Sequence, residues 1–341
     1  MLLAVLFSAC EKDQSSSDTK ITDFSATDLN RSSFTIDQVF QDDSSKIIYL
    51  LFSNGMPADS FPLQFTVSFA LPAGATSNPA SGGQVTIPNI DQHLKFTVSA
   101  ENGKQVDYHL VLRDNQLPDR DFEDWYSTVG MDGNPYSDPG KSAEYTVWAT
   151  ANQGTSIYGT YGTKPLALGD NTVAQISTGA TAIPVTAGTL FTGRFDINGA
   201  INHPTDPRQA THFGIPFSLR PVSLKFKYSY QPGNLYVRAT LNNPNNIFGG
   251  FTVTELQGND MFTGYAILEK RDGSGVVEIG RAEMTSGDLQ EELTEISLPF
   301  VYSSDQKPTH ISVVFSSSKD GDLFTGAVGS TLLVDDVELV Y

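Results

Sequence analysis

Leu63, Phe65, Val67, Phe69 and Leu71 alternate with Gln64, Thr66, Ser68 and Ala70. A period of two sends successive side chains to opposite faces, so this segment predicts a strand with one buried face. Ile47 to Phe52 is a continuous apolar run, short enough to be a strand buried on both faces. Leu94, Phe96 and Val98 on one arm, and Val106, Tyr108, Leu110 and Leu112 on the other, flank Asn102-Gly103. That dipeptide tolerates positive φ at both positions and predicts a tight hairpin. Pro72 to Ala75, and Pro79 with Gly82-Gly83, punctuate the same stretch as turns.

The later part of the chain repeats the pattern. Leu224, Phe226, Tyr228 and Tyr230 alternate with Lys225, Lys227 and Ser229, and Leu235, Val237, Ala239 and Leu241 follow the turn Gln231 to Asn234. A further pair of strands brackets Asp272 to Gly275, and Ile311 to Phe315 and Leu332 to Val340 supply late strands. Only Glu283 to Leu293 passes for a helix, and Gly287 weakens that reading. The prediction is an all-β protein. Arg113 to Pro118 is polar and ends in proline, which suits a short linker. Residues 21–113 then predict an immunoglobulin-like β-sandwich, and residues 119–341, long and without repeats, a larger jelly roll.

Residues 1–20 have a different character. Met1 to Ala9 is apolar and ends in small residues before Cys10, followed by the polar run Glu11 to Asp18. This is the layout of a bacterial lipoprotein signal, in which Cys10 is the lipid attachment site and the polar run a tether. Phe7 stands where Leu is commoner, and the run carries no Lys or Arg at its start, so a longer natural N-terminus is expected. Cys10 is also the chain's one cysteine, so no internal disulfide forms. No apolar run reaches the ~18 residues of a membrane-spanning helix.

Charge narrows the partners. The 341 residues carry 39 Asp and Glu against 21 Lys and Arg, a formal net charge of -18. Nucleic acid is excluded as a natural partner, because polyanion binding needs a positive surface that releases counterions. An anionic membrane surface is disfavoured on the same ground, which leaves the lipid anchor as the membrane attachment.

Motifs for catalysis are missing. His93, His109, His203, His212 and His310 form no His-x-x-x-His pair, and there is no Gly-x-Ser-x-Gly elbow. His203, Asp206 and His212 share one loop and could hold a transition metal, although a polar loop with two prolines explains them as well. Asp132 to Asp138 is similar to the start of a calcium loop but lacks the later Glu, and reads as a surface turn. A paired-carboxylate hydrolase stays open because the spacing that matters is spatial. Sugar binding would use aromatic faces, and Trp148, Tyr158 and Tyr161 border or occupy a Gly- and Thr-rich segment too polar to be all core. Trp125 and Trp148 serve equally well as core residues.

Several segments resemble known families. Cys-Glu-Lys-Asp at 10–13 resembles the surface-export signals of Bacteroidetes lipoproteins. Leu-Pro-Ala-Gly-Ala-Thr at 71–76, Asn-Pro-Ala-Ser-Gly-Gly at 78–83 and Phe-Thr-Val-Ser-Ala-Glu-Asn-Gly at 96–103 resemble small N-terminal spacer modules of such proteins. Asp-Phe-Glu-Asp-Trp at 121–125, Ala-Gly-Thr-Leu-Phe-Thr-Gly-Arg-Phe at 187–195, Gly-Ile-Pro-Phe-Ser-Leu-Arg-Pro at 214–221 and Val-Asp-Asp-Val at 334–337 resemble the putative carbohydrate metabolism domain family. Arg194 and Arg220 fall near positions typical of that family, and join the three aromatics as candidate carbohydrate-binding residues.

The domain's two ends also resemble jelly-roll, galactose-binding-like carbohydrate-binding modules, in which carboxylates from the first and last strands hold one structural calcium ion. The resemblance implies Glu123 and Asp335 as that pair. Together these features lead to an outer-membrane, cell-surface lipoprotein with a non-catalytic glycan-binding role in carbohydrate utilisation. An adhesive protein that binds surface protein partners is the alternative, and a weak glycoside hydrolase the second.

Overall fold

The computed structural model describes residues 15–28, 34–273 and 275–341, so Cys10 and the leader lie outside the described residues. The chain divides into two compact units after Arg113.

The first unit has two sheets around one core. One runs in the order Thr22–Asp28, Leu63–Ala70, Gln84–Ile87, the other Ile36–Asp42, Ile47–Phe52, Gln105–Arg113, Leu94–Ser99, Thr76–Asn78. All neighbours are antiparallel except Ile47–Phe52 and Gln105–Arg113, which run parallel. Phe65, Val67 and Val85 from the first sheet meet Leu50, Phe96, Val98 and Leu110 from the second in a single buried cluster. The alternation expected for Leu63–Ala70 is complete, with buried positions at 63, 65, 67 and 69. Ser16 already belongs to this unit, since its N–H donates to Glu101 at 3.0 Å and its carbonyl accepts from the Asn102 N–H at 3.1 Å. The first unit thus reaches into the segment expected as tether.

The second unit is a larger two-sheet sandwich. Its wide sheet runs Trp148–Thr150, Thr189–Phe195, His310–Ser316, Phe262–Asp272, Gly275–Ser286, Val301–Tyr302. The facing sheet runs Thr163–Leu168, Asn171–Ser177, Thr331–Val340, Ser223–Gln231, Gln290–Pro299. Phe262, Ala266, Leu268, Ile311 and Phe315 from the wide sheet pack on Phe226, Tyr230, Leu332 and Val334 from the other. A smaller sheet, Phe251–Glu255, Tyr236–Leu241, Thr325–Ala327, closes on Ala239, Ile247 and Phe324. No helix is long and apolar enough to cross a membrane among the described residues.

The segment Glu283 to Leu293 is strand and turn rather than helix. Its residues find ladder partners, with Glu283 opposite Tyr265, Met284 opposite Gly264 and Gln290 opposite Tyr230. Cross-strand pairing then outweighs the local preference of Glu and Leu for helix.

Candidate functional site

The outer face of the wide sheet carries a cleft. Along Phe262–Asp272 the buried positions are 262, 264, 266 and 268. The other parity therefore turns Thr263, Tyr265, Ile267, Glu269 and Arg271 outward. A bulge between Leu268 and Glu269, where the ladder partner jumps from Gly280 to Glu278, re-aims the polar end of the strand. The neighbouring His310–Ser316 strand adds Ser312 beside Ile267.

The wall is built by a short insertion. Thr211–Phe213 pairs with the far end of Thr189–Phe195, and Ile215–Pro216 continues beside His310–Ser316. The connection thus wedges between two strands that are paired elsewhere. Gly193 makes the wedge possible: its φ is 137°, and a Cβ there would run into the His212 carbonyl. Phe213 is fixed from below by Phe191, ring centroids 5.0 Å apart. Thr211, His212, Phe213, Tyr265, Ile267, Glu269, Arg271 and Ser312 enclose a cleft of about 340 Å³.

Its chemistry is a charged fork beside an aromatic ring. Arg271 donates to Glu269 Oε2 through Nε at 2.9 Å and Nη2 at 2.5 Å. Nη2 also donates to the Phe213 carbonyl at 2.9 Å, tying the fork to the wall. Arg281 lies over the Tyr265 ring at 5.8 Å and donates to Glu278 and Glu283. That hydrogen bonding holds the Glu278 carboxyl below its ordinary value, while burial pushes the Tyr265 hydroxyl up. His212 stands 3.4 Å from Asp196, whose carboxyl is lowered by the Gly199 N–H and by His212.

The residues expected to bind sugar do not form one platform. Trp148 is 1% exposed; its indole N–H donates to the Pro118 carbonyl at 2.8 Å and its ring packs on Phe122. That is a correction to its reading as a platform, since a core indole has no face for a ligand. Tyr158 packs half-buried on the small core around Ile183 and Phe324. Tyr161 stacks on Tyr136 at 5.1 Å and donates to Asp132 at 2.6 Å. Arg220 donates to the Gln306 carbonyl and covers the Tyr302 ring at 4.0 Å. Arg194 stands opposite His212 in the register but does not line the cleft. Tyr265, Glu269 and Arg271 were missed, although Thr, Tyr, Ile, Glu and Arg on one parity of a strand are too charged for a core and too apolar for a plain solvent face.

The proposed metal residues separate into two cases. His203, Asp206 and His212 do not converge into a three-ligand group among the described residues. Glu123 and Asp335 are bonded by adjacent residues, Thr172 and Asn171. Glu123 accepts from the Thr172 N–H at 3.1 and 3.2 Å, and Asp335 Oδ2 accepts from the Asn171 amide at 2.9 Å. Asp335 is 1% exposed, and burial raises its carboxyl above the ordinary value. Asp132 to Asn134 forms the tip of the hairpin Trp125–Val129 and Pro135–Pro139.

No curated protein matches the chain. Among solved structures, it is similar to a crystal structure of a putative glycoside hydrolase from Bacteroides thetaiotaomicron, with 26% identity over 93% of this chain and 96% of that one, TM-score 0.56. A putative glycoside hydrolase from Bacteroides vulgatus has 26% identity over 64% of this chain and 96% of that one, TM-score 0.52. A carbohydrate-binding module of the beta-sandwich superfamily aligns at 10% identity over 93% and 98%, TM-score 0.30. The profile of the Putative carbohydrate metabolism domain matches residues 121–340, and the chain belongs to that family.

Proposed function

We propose that the second unit binds glycan in the cleft over Tyr265, Glu269 and Arg271, and that it does so without cleaving it. The observation that carries this reading is the cleft itself, which joins a half-buried tyrosine ring to a guanidinium–carboxylate fork. The ring would cover the apolar face of a pyranose, and the fork would read its hydroxyls. Affinity electrophoresis of the full chain through gels cast with soluble polysaccharides tests it. Tyr265→Ala and Arg271→Ala should each weaken retardation about tenfold or more. Equal retardation of wild type and both variants would place binding elsewhere.

Hydrolysis is the second reading, favoured by the two relatives described as glycoside hydrolases. Glu269 and Glu278 stand opposite each other in the ladder. A hydrolase needs one carboxyl kept protonated, and Glu278 is shifted the other way by Arg281. Release of reducing ends from any polysaccharide that is retained, abolished by Glu269→Gln, would establish it.

The address and the metal are further parts of the proposal. Cys10 would carry the lipid that fastens the protein to the outer membrane, with the first unit, read as an immunoglobulin-like module, as spacer. Cys10→Ala should move the protein from the membrane to the soluble fraction. Calcium would be held by Glu123 and Asp335, with the Asn171 amide oxygen turned inward, and would neutralise a buried carboxylate. Calcium should raise the melting temperature of wild type and leave Asp335→Asn unchanged.

A further inference from the structure

We propose that the cleft selects uncharged glycans over those bearing uronate or sulfate groups, an inference that rests on the binding reading above. The Glu269–Arg271 fork is only half used within the protein. Both Arg271 bonds to the carboxylate end on Oε2, and the remaining Nη2 contacts go to Phe213 at 2.9 Å and Ser312 at 3.5 Å. Oε1 of Glu269 and Nη1 of Arg271 make no hydrogen bond to a described residue. The two side chains are 18% and 30% exposed, so both groups are accessible from the cleft. An open acceptor beside an open donor matches sugar hydroxyls, each of which donates and accepts. A carboxylate or sulfate ester accepts only; it would satisfy Nη1 while setting a second anion against Glu269.

The surroundings act in the same direction. Arg281 is held by Glu278 at 2.7 Å and Glu283 at 3.1 Å, and His212 faces Asp196 at 3.4 Å. The carboxylates of Glu269, Glu278, Glu283 and Asp196 thus outnumber the guanidiniums of Arg271 and Arg281 around the cleft, in a chain whose formal net charge is -18. An anionic sugar would lose its hydration to meet cations that are already paired, which costs more than the contact returns.

Electrophoresis of the full chain in gels containing hydroxyethyl cellulose, galactomannan, xyloglucan or mixed-linkage β-glucan, against polygalacturonate, alginate and a sulfated galactan, separates the outcomes. The expected result is retardation by at least one neutral polymer and by no anionic one. For the neutral polymer, the dissociation constant should change less than about twofold between about 0.02 and 0.5 M NaCl, because no net charge is neutralised on binding. The double variant Glu269→Gln, Glu283→Gln should gain retardation by polygalacturonate at low salt. Stronger retardation of wild type by an anionic polymer, lost as salt rises, overturns the selectivity while leaving the binding reading in place. Retardation by none of the polymers overturns both.

Discussion

Asp260 shows how a single buried side chain holds together parts of the second unit that are distant in sequence. It is 2% exposed and accepts from the Ser318 hydroxyl at 2.5 Å, the Ser330 hydroxyl at 2.6 Å, and the Ala327 and Met261 N–H groups at 2.8 Å each. Asp260→Ala would leave these donors buried and unpaired, and should cost about 2–4 kcal/mol in urea unfolding at neutral pH. Burial nevertheless raises the carboxyl above its ordinary 3.8. Between 3.8 and that raised value the folded chain therefore keeps a proton that the unfolded chain has given up. Stability from this group is full below pH 3.8 and is lost as pH rises through the folded value. Asp260→Asn should accordingly be more destabilising at pH 4 than at pH 7, measured as the difference from wild type at each pH.

At the scale of elements, the wedge of Thr211–Phe213 into the wide sheet is the construction on which the cleft depends. Gly193→Ala would force its Cβ against the His212 carbonyl at a positive φ, and should cost about 1–3 kcal/mol. It should also weaken glycan retention, because Arg271 would lose the Phe213 carbonyl. A thermal melt and the retardation assay on the same variant check both. The strands themselves were legible in the sequence wherever one parity is apolar, as in Leu63–Ala70 and Ser223–Gln231. The Asn102-Gly103 hairpin was equally plain. Glu283 to Leu293 misled because its ladder partners lie in two other strands, with Tyr265 opposite Glu283 and Tyr230 opposite Gln290. The cleft was opaque for a related reason. Its wall at Phe213 and its floor on the Tyr265–Arg271 parity are joined only by a sheet order that no local pattern encodes. Trp148 drew notice as an aromatic in a polar neighbourhood, yet packing on Phe122 decides its place.

For the whole molecule, the separate main cores of the two units imply two separable unfolding events, since Leu50, Phe96 and Tyr108 share no buried cluster with Phe226, Phe262 and Phe315. A core substitution such as Phe96→Ala should lower one calorimetric transition by about 3–5 kcal/mol and leave the other in place. The acidic surface also bears on behaviour at high concentration, because like-charged molecules repel and remain dispersed. The manner in which the cleft is walled reaches further. Its floor is a sheet strand whose alternate residues build the hydrophobic interior, but its wall belongs to an excursion of short helices and strands between residues 196 and 216. The excursion can therefore change length or composition at little expense to the interior, so that descendants of one scaffold can present differently shaped clefts while folding the same way.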